Sequence, residues 1–286
     1  MLRQIALQES VVYGPVRSRR LGNSLGINPL PTSRKACSSN CVYCQYGWTL
    51  PGARDSEPTI SPPAPFATGE SRPKAAIRRN AAEVVGGGMK RASELIPLIE
   101  EGFEAVATQH IPVDCITFAG NGEPTLHPDL EELVHEVKRL RHQYFPTADV
   151  GMLSDATQAH RPGVARALRA LEVRYMKCDG GDEAMWRAVT QPLGSVAWNT
   201  MIAALKNLPD IILQSMFIQG QVDNTQPGHI ETWIRLVGEI RPLSVQVYTI
   251  DRAPADSRAH EVPLARLQEI AARLSQRTGI PAEVYD

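Results

Sequence analysis

The feature that most constrains the fold is an alternation of short strand-like segments with longer helical ones. Six segments have strand character: Leu25–Leu30, Cys115–Ala119, Asp149–Leu153, Val173–Cys178, Ile211–Ile218 and Ser244–Ile250. Six have helical periodicity: Arg91–Thr108, Asp129–Tyr144, Pro162–Leu171, Val196–Leu208, His229–Ile240 and Pro263–Thr278. Such an order implies right-handed βαβ units and a parallel sheet, so the predicted class is α/β.

Six β/α units are fewer than the eight that close a complete barrel. The chain is therefore expected to form a single domain over residues 1–286, with its core at about 14–286, built as a partial (β/α)6 TIM-type barrel of parallel strands. Its active site is expected at the C-terminal ends of the strands. Pro51–Pro73 carries six prolines and no apolar period, so residues 51–88 are expected to be a flexible loop or a lid over substrate.

Composition excludes several classes of protein. Hydrophobic residues make up 43% and charged residues 21%, which is enough for a sizeable core and excludes a wholly disordered chain. The net charge of −1 argues against a protein that holds nucleic acid by bulk charge alone. No apolar run approaches the ~20 residues of a membrane span, so a soluble, cytoplasmic protein with no membrane partner is expected.

Three of the five cysteines, Cys37, Cys41 and Cys44, form a C-x3-C-x2-C pattern. Three thiolates on one short loop can ligate three irons of a cubane 4Fe–4S cluster and leave the fourth iron open. A zinc site of three cysteines and a histidine is the alternative, although the nearest histidine in sequence is the distant His110. Cys115 stands alone and is expected to be a small buried apolar residue, as is Cys178.

The cysteine loop, with Tyr43 directly before its last cysteine, resembles that of the radical S-adenosylmethionine (radical SAM) superfamily. Gly120–Pro124 follows a strand and resembles the family's GGEP motif, with Asn121 in place of the first glycine of the pair. Further segments resemble the branch that contains wyosine-type tRNA-modifying enzymes and uncharacterised bacterial relatives. These segments are Gly14–Gly26, Gly120–Pro128 and Tyr248–Arg252.

This resemblance implies one 4Fe–4S cluster on the three cysteines, with SAM as cosubstrate or cofactor. In the family, the reduced cluster cleaves SAM to a 5′-deoxyadenosyl radical, which abstracts hydrogen from the substrate. The electron would come from a donor such as flavodoxin or ferredoxin. The residues expected to contact SAM lie in the cysteine loop and directly after the second and third strands. They are Tyr43 near the adenine, Gly120, Asn121, Gly122 and Glu123 around the methionyl end, and Ser154 and Asp155.

Five further polar residues complete the predicted site. Lys177 and Asp179 share one face by the period-two rule and are predicted to be catalytic, with a mutual structural ion pair as the alternative. Arg187 is expected to meet the SAM carboxylate. Gln246 and Tyr248 also share a face and are expected to meet ribose or substrate.

Arginines also precede the first predicted strand, at Arg17, Arg19 and Arg20. They form either a solvated basic edge or contacts to a phosphate-bearing substrate.

Three functions remain open at this stage. The favoured one is a radical SAM enzyme acting on a small molecule, whose reaction type the residues do not define. The second is a radical SAM enzyme that modifies a tRNA nucleoside; the near-zero net charge weakens it. The third is a non-catalytic iron–sulfur or zinc redox protein, which the SAM-site residues disfavour.

Overall fold

A computed structural model describes residues 4–49 and 88–285; the Pro51–Pro73 segment lies outside them. The strands are β1 (Val12–Ser18), β2 (Gly22–Ile27), β3 (Cys115–Phe118), β4 (Asp149–Ser154), β5 (Val173–Lys177), β6 (Ile211–Met216), β7 (Gln219–Gly220), β8 (Ser244–Tyr248), β9 (Ala259–His260) and β10 (Ala282–Tyr285). The α-helices are α1 (Ala92–Ala107), α2 (Leu130–Tyr144), α3 (Pro162–Ala170), α4 (Glu183–Thr190), α5 (Trp198–Asn207), α6 (Pro227–Ile240) and α7 (Leu264–Thr278).

The central sheet has eight strands in the order β1-β2-β3-β4-β5-β6-β8-β10. All neighbouring pairs are parallel except β1 and β2, which are antiparallel. The six predicted strands are β2, β3, β4, β5, β6 and β8, and they are adjacent in chain order. The predicted α/β partial barrel is therefore confirmed.

The sequence reading missed both edge strands. Gly14 and Pro15 interrupt the apolar pattern of β1, and the pairing with β2 shifts register between Tyr13 and Val16. Proline is tolerated there because an edge strand leaves one row of N–H groups unpaired. β10 has only four residues, too few to show a period.

All six predicted helices are present, but α4 was missed because it has only eight residues. Its start signal is ordinary. Asp182 is the N-cap, and its carboxylate accepts a hydrogen bond from Met185 N at 2.8 Å.

The two faces of the sheet differ in polarity. Ile116, Phe118 and Val245 face outward into one core cluster with buried helix residues such as Leu133 and Leu267. Alternate positions face the barrel interior, and many of these are small or polar: Ser24, Gly26, Thr117, Gly151, Tyr175, Gln214 and Gln246. The helices therefore stabilise the outside of the sheet, and the interior is left polar.

The β1–β2 hairpin reaches residues at and beyond the end of β8. Arg19 forms an ion pair with Asp251 at 3.6 Å, and the guanidinium carbon of Arg20 lies 4.4 Å from the centroid of the Tyr248 ring. Since β1 is one edge of the sheet and β8 lies next to the other, these side chains bridge the open side of the barrel. None of the described helices combines the length and the apolar character needed to cross a bilayer.

Close packing of Tyr13 on Gly26 generates a stability prediction. A Cβ on Gly26 would lie 2.1 Å from Tyr13 Cζ, so Gly26→Ala should lower the free energy of unfolding by about 1–3 kcal/mol. In a Tyr13→Ala background the same change should cost much less, which urea unfolding of the four proteins measures. Gly228→Ala, where no atom lies within 4 Å of the new Cβ, is the control. Additive effects of the two substitutions would contradict this packing.

Candidate functional site

The loop that carries the three cysteines pairs with the stretch that follows β3. Ala36 forms a parallel bridge with Gly122. Its N–H donates to Asn121 O at 2.8 Å, and its carbonyl accepts from Glu123 N at 2.9 Å. The residue before Cys37 is thus bonded to the predicted SAM-binding stretch.

Gly122 makes this pairing possible. A Cβ there would lie 1.7 Å from the carbonyl oxygen of Ala36, and the φ of +142° is itself unfavourable for other residues. The missing side chain of Gly122 therefore accommodates the backbone of the cysteine loop. Gly120, with a φ of +132°, lies in the same way against Asn28, because a Cβ there would lie 2.6 Å from Asn28 Oδ1.

Asn121 has a structural role that the sequence reading missed. Its side chain is fully buried and donates to Gln8 O at 2.9 Å and to Pro31 O at 3.0 Å. Its Oδ1 accepts from Gln8 N at 2.7 Å. These bonds direct the amide to the N-terminal segment, so the Asn121 side chain ties that segment to the site.

Glu123, Ser154 and Asp155, which were predicted together, do form one network at the ends of β3 and β4. Glu123 Oε1 accepts from the Ser154 hydroxyl at 2.9 Å, and Oε2 accepts from Asp155 N at 2.6 Å. Burial, and then the nearby Asp155 carboxylate, raise the pKa of Glu123 to about 8. Two carboxyl groups therefore meet directly beside the cysteine loop.

Asp155 extends this network into the cysteine loop itself. Its Oδ2 accepts from the hydroxyls of Ser38 at 2.7 Å and Ser39 at 2.6 Å, both between the first two cysteines. On the other side, Val42 N donates to Val189 O of α4 at 3.0 Å. Hydrogen bonds thus fix the loop from two sides.

The thiols surround a buried lysine. Lys35 Nζ donates to Cys44 Sγ at 3.1 Å and to Gly47 O at 2.7 Å. Burial alone would lower the pKa of Lys35, but Cys44 and the other two thiols raise it above its ordinary value. Burial also raises the pKa of Cys41 to about 12. A buried cation suits a negatively charged metal–thiolate group.

In the part of the chain that the structure describes, no three Cys, His, Asp or Glu side chains are grouped as ligands of a single metal ion. A cubane cluster does not require such a group, because each thiolate binds a different iron. The three cysteines and Lys35 therefore fit a cluster by donor chemistry and by charge.

The predicted pair at the end of β5 is brought together and contacts the cysteine loop. Lys177 Nζ lies 3.2 Å from Asp179 Oδ1. The fully buried Asp179 also accepts from the Tyr43 hydroxyl at 2.5 Å and from Met216 N at 2.8 Å. An ion pair is thus present, as the structural alternative predicts. Tyr43, which donates to Asp179, directly precedes Cys44, so this residue links the pair to the cysteine loop.

Tyr248 belongs to the same cluster. Lys177 donates a hydrogen bond to its hydroxyl, and Nζ lies 4.7 Å from the ring centroids of both Tyr248 and Tyr43. Burial alone would lower the pKa of Lys177, but Asp179 and Tyr248 raise it above its usual range, which keeps the ammonium charged. Gln246, one pleat earlier on β8, is buried and accepts from Gln214 Nε2 at 2.7 Å.

Arg187 is the predicted site residue that the structure does not bring to this cluster. Its half-exposed side chain pairs with Glu183 at 2.7 Å, one turn back on α4, and lies over the ring of Trp186. Within the described residues Arg187 has no recorded bond to the other predicted site residues. The helix that the sequence reading missed turns this side chain to the surface. The isolated Cys115 and Cys178 are buried, as expected.

The packing of Gly122 generates a prediction about the cysteine loop. Gly122→Ala should displace Ala36 and lower the iron content of anaerobically reconstituted protein well below the wild-type value, because Cys37 follows directly. Gly279→Ala is the control, since it also imposes a side chain at positive φ, +73°, but no atom lies within 4 Å of its Cβ. Iron and sulfide analysis measures the outcome. Full iron content in Gly122→Ala would show that the loop does not need this approach.

Comparison with curated proteins gives relatives of low identity, and no protein-family model matches the sequence. The chain is 25% identical to "GTPase Obg" of Brachyspira hyodysenteriae over 88% of its own length but only 32% of that protein. It is 27% identical to "UPF0026 protein MJ1312" of Methanocaldococcus jannaschii over 86% of its length and 65% of the relative. The chain has no G-x4-G-K-[ST] phosphate-binding motif, so its match to the first protein does not carry a GTPase site.

One further sequence match and two solved structures bear on the predicted resemblance. The chain is 22% identical to the S-adenosyl-L-methionine-dependent tRNA 4-demethylwyosine synthase of Oryza sativa, over 76% of its length and 29% of that protein. Its fold matches a radical SAM methyltransferase from Sphaerobacter thermophilus at TM-score 0.57, with 12% identity, over 92% of this chain and 65% of that one. It also matches TYW1 with a lysine-pyruvate adduct bound, at TM-score 0.55 and 15% identity, over 91% and 76%. The predicted resemblance is thus confirmed: the chain has the fold of radical SAM enzymes and is related in sequence to UPF0026 proteins and to the wyosine branch.

Proposed function

We propose that the chain is a radical SAM enzyme that uses one 4Fe–4S cluster to cleave SAM reductively and acts on a small-molecule substrate. The observation that carries the proposal is the position of the cysteine loop. Its start is bonded to Gly122 and Glu123, and its Tyr43 is bonded to Asp179. All these contacts lie at the C-terminal ends of parallel strands, where barrels of this kind have their active sites.

Cys37, Cys41 and Cys44 would hold the cluster, and Lys35 would offset its negative charge. When bound, the cluster and SAM supply an electron and a 5′-deoxyadenosyl radical, which is chemistry that no side chain can provide. The electron would come from a donor such as flavodoxin or ferredoxin. The protein's own part is to hold SAM, orient the substrate and exclude water.

Glu123 is the best placed group for the methionyl ammonium. Its Oε1 accepts from the Ser154 hydroxyl, Thr125 N and the Thr125 hydroxyl, whereas Asp155 N is the one donor to Oε2 among the described residues. A carboxylate oxygen has two acceptor sites, so Oε2 keeps capacity for a further donor. The side-chain positions of Gly120 and Gly122 are taken up by Asn28 and by the Ala36 carbonyl, so these glycines would hold the stretch against the cysteine loop.

Lys177 would act on the substrate as a cation and hydrogen-bond donor. Its contact with Asp179 at 3.2 Å favours the ammonium form. One structural neighbour, TYW1, was solved with a lysine-pyruvate adduct. A covalent adduct on Lys177 would need the neutral amine and would leave the buried Asp179 without its counter-ion, so we propose a non-covalent role here.

Two observations favour a small molecule over tRNA as substrate. The barrel interior is lined by neutral polar side chains such as Thr117, Gln214 and Gln246, which suit a small polar ligand. The net charge of −1 offers little general attraction to RNA. The tRNA alternative rests on the names of relatives, and RNA that co-purifies with the protein would favour it.

The first test concerns the cluster and SAM together. Anaerobically reconstituted wild-type protein with a strong reductant should form 5′-deoxyadenosine without added substrate, as measured by mass spectrometry. Replacing Cys37, Cys41 and Cys44 by Ala should abolish both the cluster absorbance and this product. Cluster without 5′-deoxyadenosine would leave an iron–sulfur redox protein, and full iron in the triple variant would place the ligands elsewhere.

The second test separates the two roles of the Lys177–Asp179 pair. Lys177→Met alone leaves a buried carboxylate unpaired and should cost about 3–5 kcal/mol of unfolding free energy. Adding Asp179→Asn should recover most of it, because Asn removes the charge and still accepts from the Tyr43 hydroxyl or Met216 N. Urea unfolding measures this recovery.

The same double variant should keep its cluster and its substrate-free SAM cleavage. It should lose deuterium transfer between SAM and substrate in a screen of metabolite extracts. Normal transfer by a well-folded double variant would make the pair purely structural.

A further inference from the structure

Arg20, in the β1–β2 hairpin, has a guanidinium group that forms no hydrogen bond or ion pair with the described residues. Its Nη1 is buried and has no hydrogen-bond partner. Across residues 4–49 and 88–285, no side-chain hydrogen bond or ion pair of Arg20 is formed; its one recorded contact is the Tyr248 ring, 4.4 Å from the guanidinium carbon. A buried donor left unpaired is destabilising, and more so when it is charged. A ligand that accepts from Nη1 would remove this cost.

The other arginines of the hairpin are different. Arg19 pairs with Asp251, and both side chains are more than half exposed. Arg17 is exposed on β1, opposite Asn23 in the register. Only Arg20 combines burial of a guanidinium nitrogen with a position against the barrel strands. Arg17 and Arg19 therefore fit a solvated basic edge, and Arg20 is the arginine of this hairpin that suits contact with an anion.

Tyrosines of three strands lie near this guanidinium. Tyr248 of β8 contacts it directly. Tyr175 of β5 and Tyr285 of β10 are near enough for the positive charge of Arg20 to oppose the rise in their pKa values that burial causes. Glu283, the carboxylate beside Tyr285, accepts from the Tyr285 hydroxyl at 2.5 Å and forms no ion pair with Arg20 in the described residues.

Tyr248 connects Arg20 to the candidate active site. The ring has two cations against it, Arg20 at 4.4 Å and Lys177 at 4.7 Å. Asp179 neutralises Lys177 by a contact of 3.2 Å, whereas no carboxylate of residues 4–49 or 88–285 pairs with Arg20. The unbalanced charge beside Tyr248 is therefore positive, and the missing partner is an anion.

We propose that Arg20, stacked on Tyr248, is the subsite for an anionic group of the substrate, a carboxylate or a phosphate. A guanidinium offers paired donors that match either group. A substrate held there would extend past Tyr248 toward Lys177 and the cysteine loop. The identification of this ligand as the substrate rests on the proposed function, whereas the binding of an anion at Arg20 is independent of it.

The test uses the reconstituted holoenzyme with SAM present, so that a site for the SAM carboxylate is already filled. Inorganic phosphate and malonate are titrated separately by calorimetry at constant ionic strength, and their relative affinities distinguish a phosphate from a carboxylate ligand. Wild-type protein should bind at least one of them. Arg20→Gln should weaken that binding by about tenfold or more, because a charged hydrogen bond and its charge are lost.

Arg17→Gln is the matched control, because it removes the same charge from the exposed part of the same hairpin. Its anion affinity should stay within about twofold of wild type. Arg20→Lys keeps the charge but not the paired donors, so it should bind more weakly than wild type and more tightly than Arg20→Gln. It also serves as the second variant where Arg20→Gln does not retain its cluster.

Three results would overturn the inference: no binding of either anion by wild type, unchanged binding by Arg20→Gln and Arg20→Lys, or equal losses in Arg17→Gln and Arg20→Gln. The proposed function fails separately. Wild-type protein that binds the anion through Arg20 but forms no 5′-deoxyadenosine would keep the subsite and lose the radical SAM activity.

Discussion

The approach of the Ala36 backbone to Gly122 is the contact on which the rest of the site depends. The carbonyl oxygen of Ala36 occupies the space that a side chain at position 122 would fill. This contact places the residue before Cys37 at the end of β3, so the loop can then receive the Asp155 carboxylate from the end of β4. A single missing Cβ thereby aligns the predicted metal ligands with the predicted SAM-binding stretch.

Burial of charge distinguishes this end of the sheet from its outer face. Lys35, Glu123, Lys177 and Asp179 all lie in or near the interior, where an unpaired charge is costly. Each is compensated differently: Lys35 by thiols, Glu123 by several donors and a raised pKa, and Lys177 and Asp179 by one another. Replacing such groups by apolar ones is often neutral for stability, so folding alone does not require these charges here.

The strands and helices with clear apolar periods could be predicted because periodicity is a local property. β1 and α4 were missed because Gly14 and Pro15 interrupt the first and because the second is short. Part of the candidate site could be predicted from the sequence motifs and from the polar residues at the ends of the predicted strands.

Contacts between residues distant in sequence left no local signal. Tyr43 and Asp179 are 136 positions apart, yet they share a hydrogen bond of 2.5 Å. The spacing of the motif likewise gave Gly122 a role toward SAM, whereas its immediate neighbour is Ala36. The position of Arg187 left no local signal for a related reason: its direction depends on which face of α4 packs inward, and Met185, Trp186 and Val189 occupy that face.

Closure of the half-barrel links the two segments on which the resemblance to the wyosine branch partly rested. Ser18–Gly22 contains Arg19 and Arg20, and Tyr248–Arg252 contains their contacts, Tyr248 and Asp251. In the described residues, β1 and β10 are the two edges of the sheet, and side chains rather than backbone hydrogen bonds join its two sides. Because the exposed Arg19–Asp251 pair contributes little to stability, the hairpin is held in the sheet mainly by the pairing of β2 with β3. Arg20 lies in the turn between the paired strands β1 and β2, so its guanidinium has the backbone support that a positioned binding group requires.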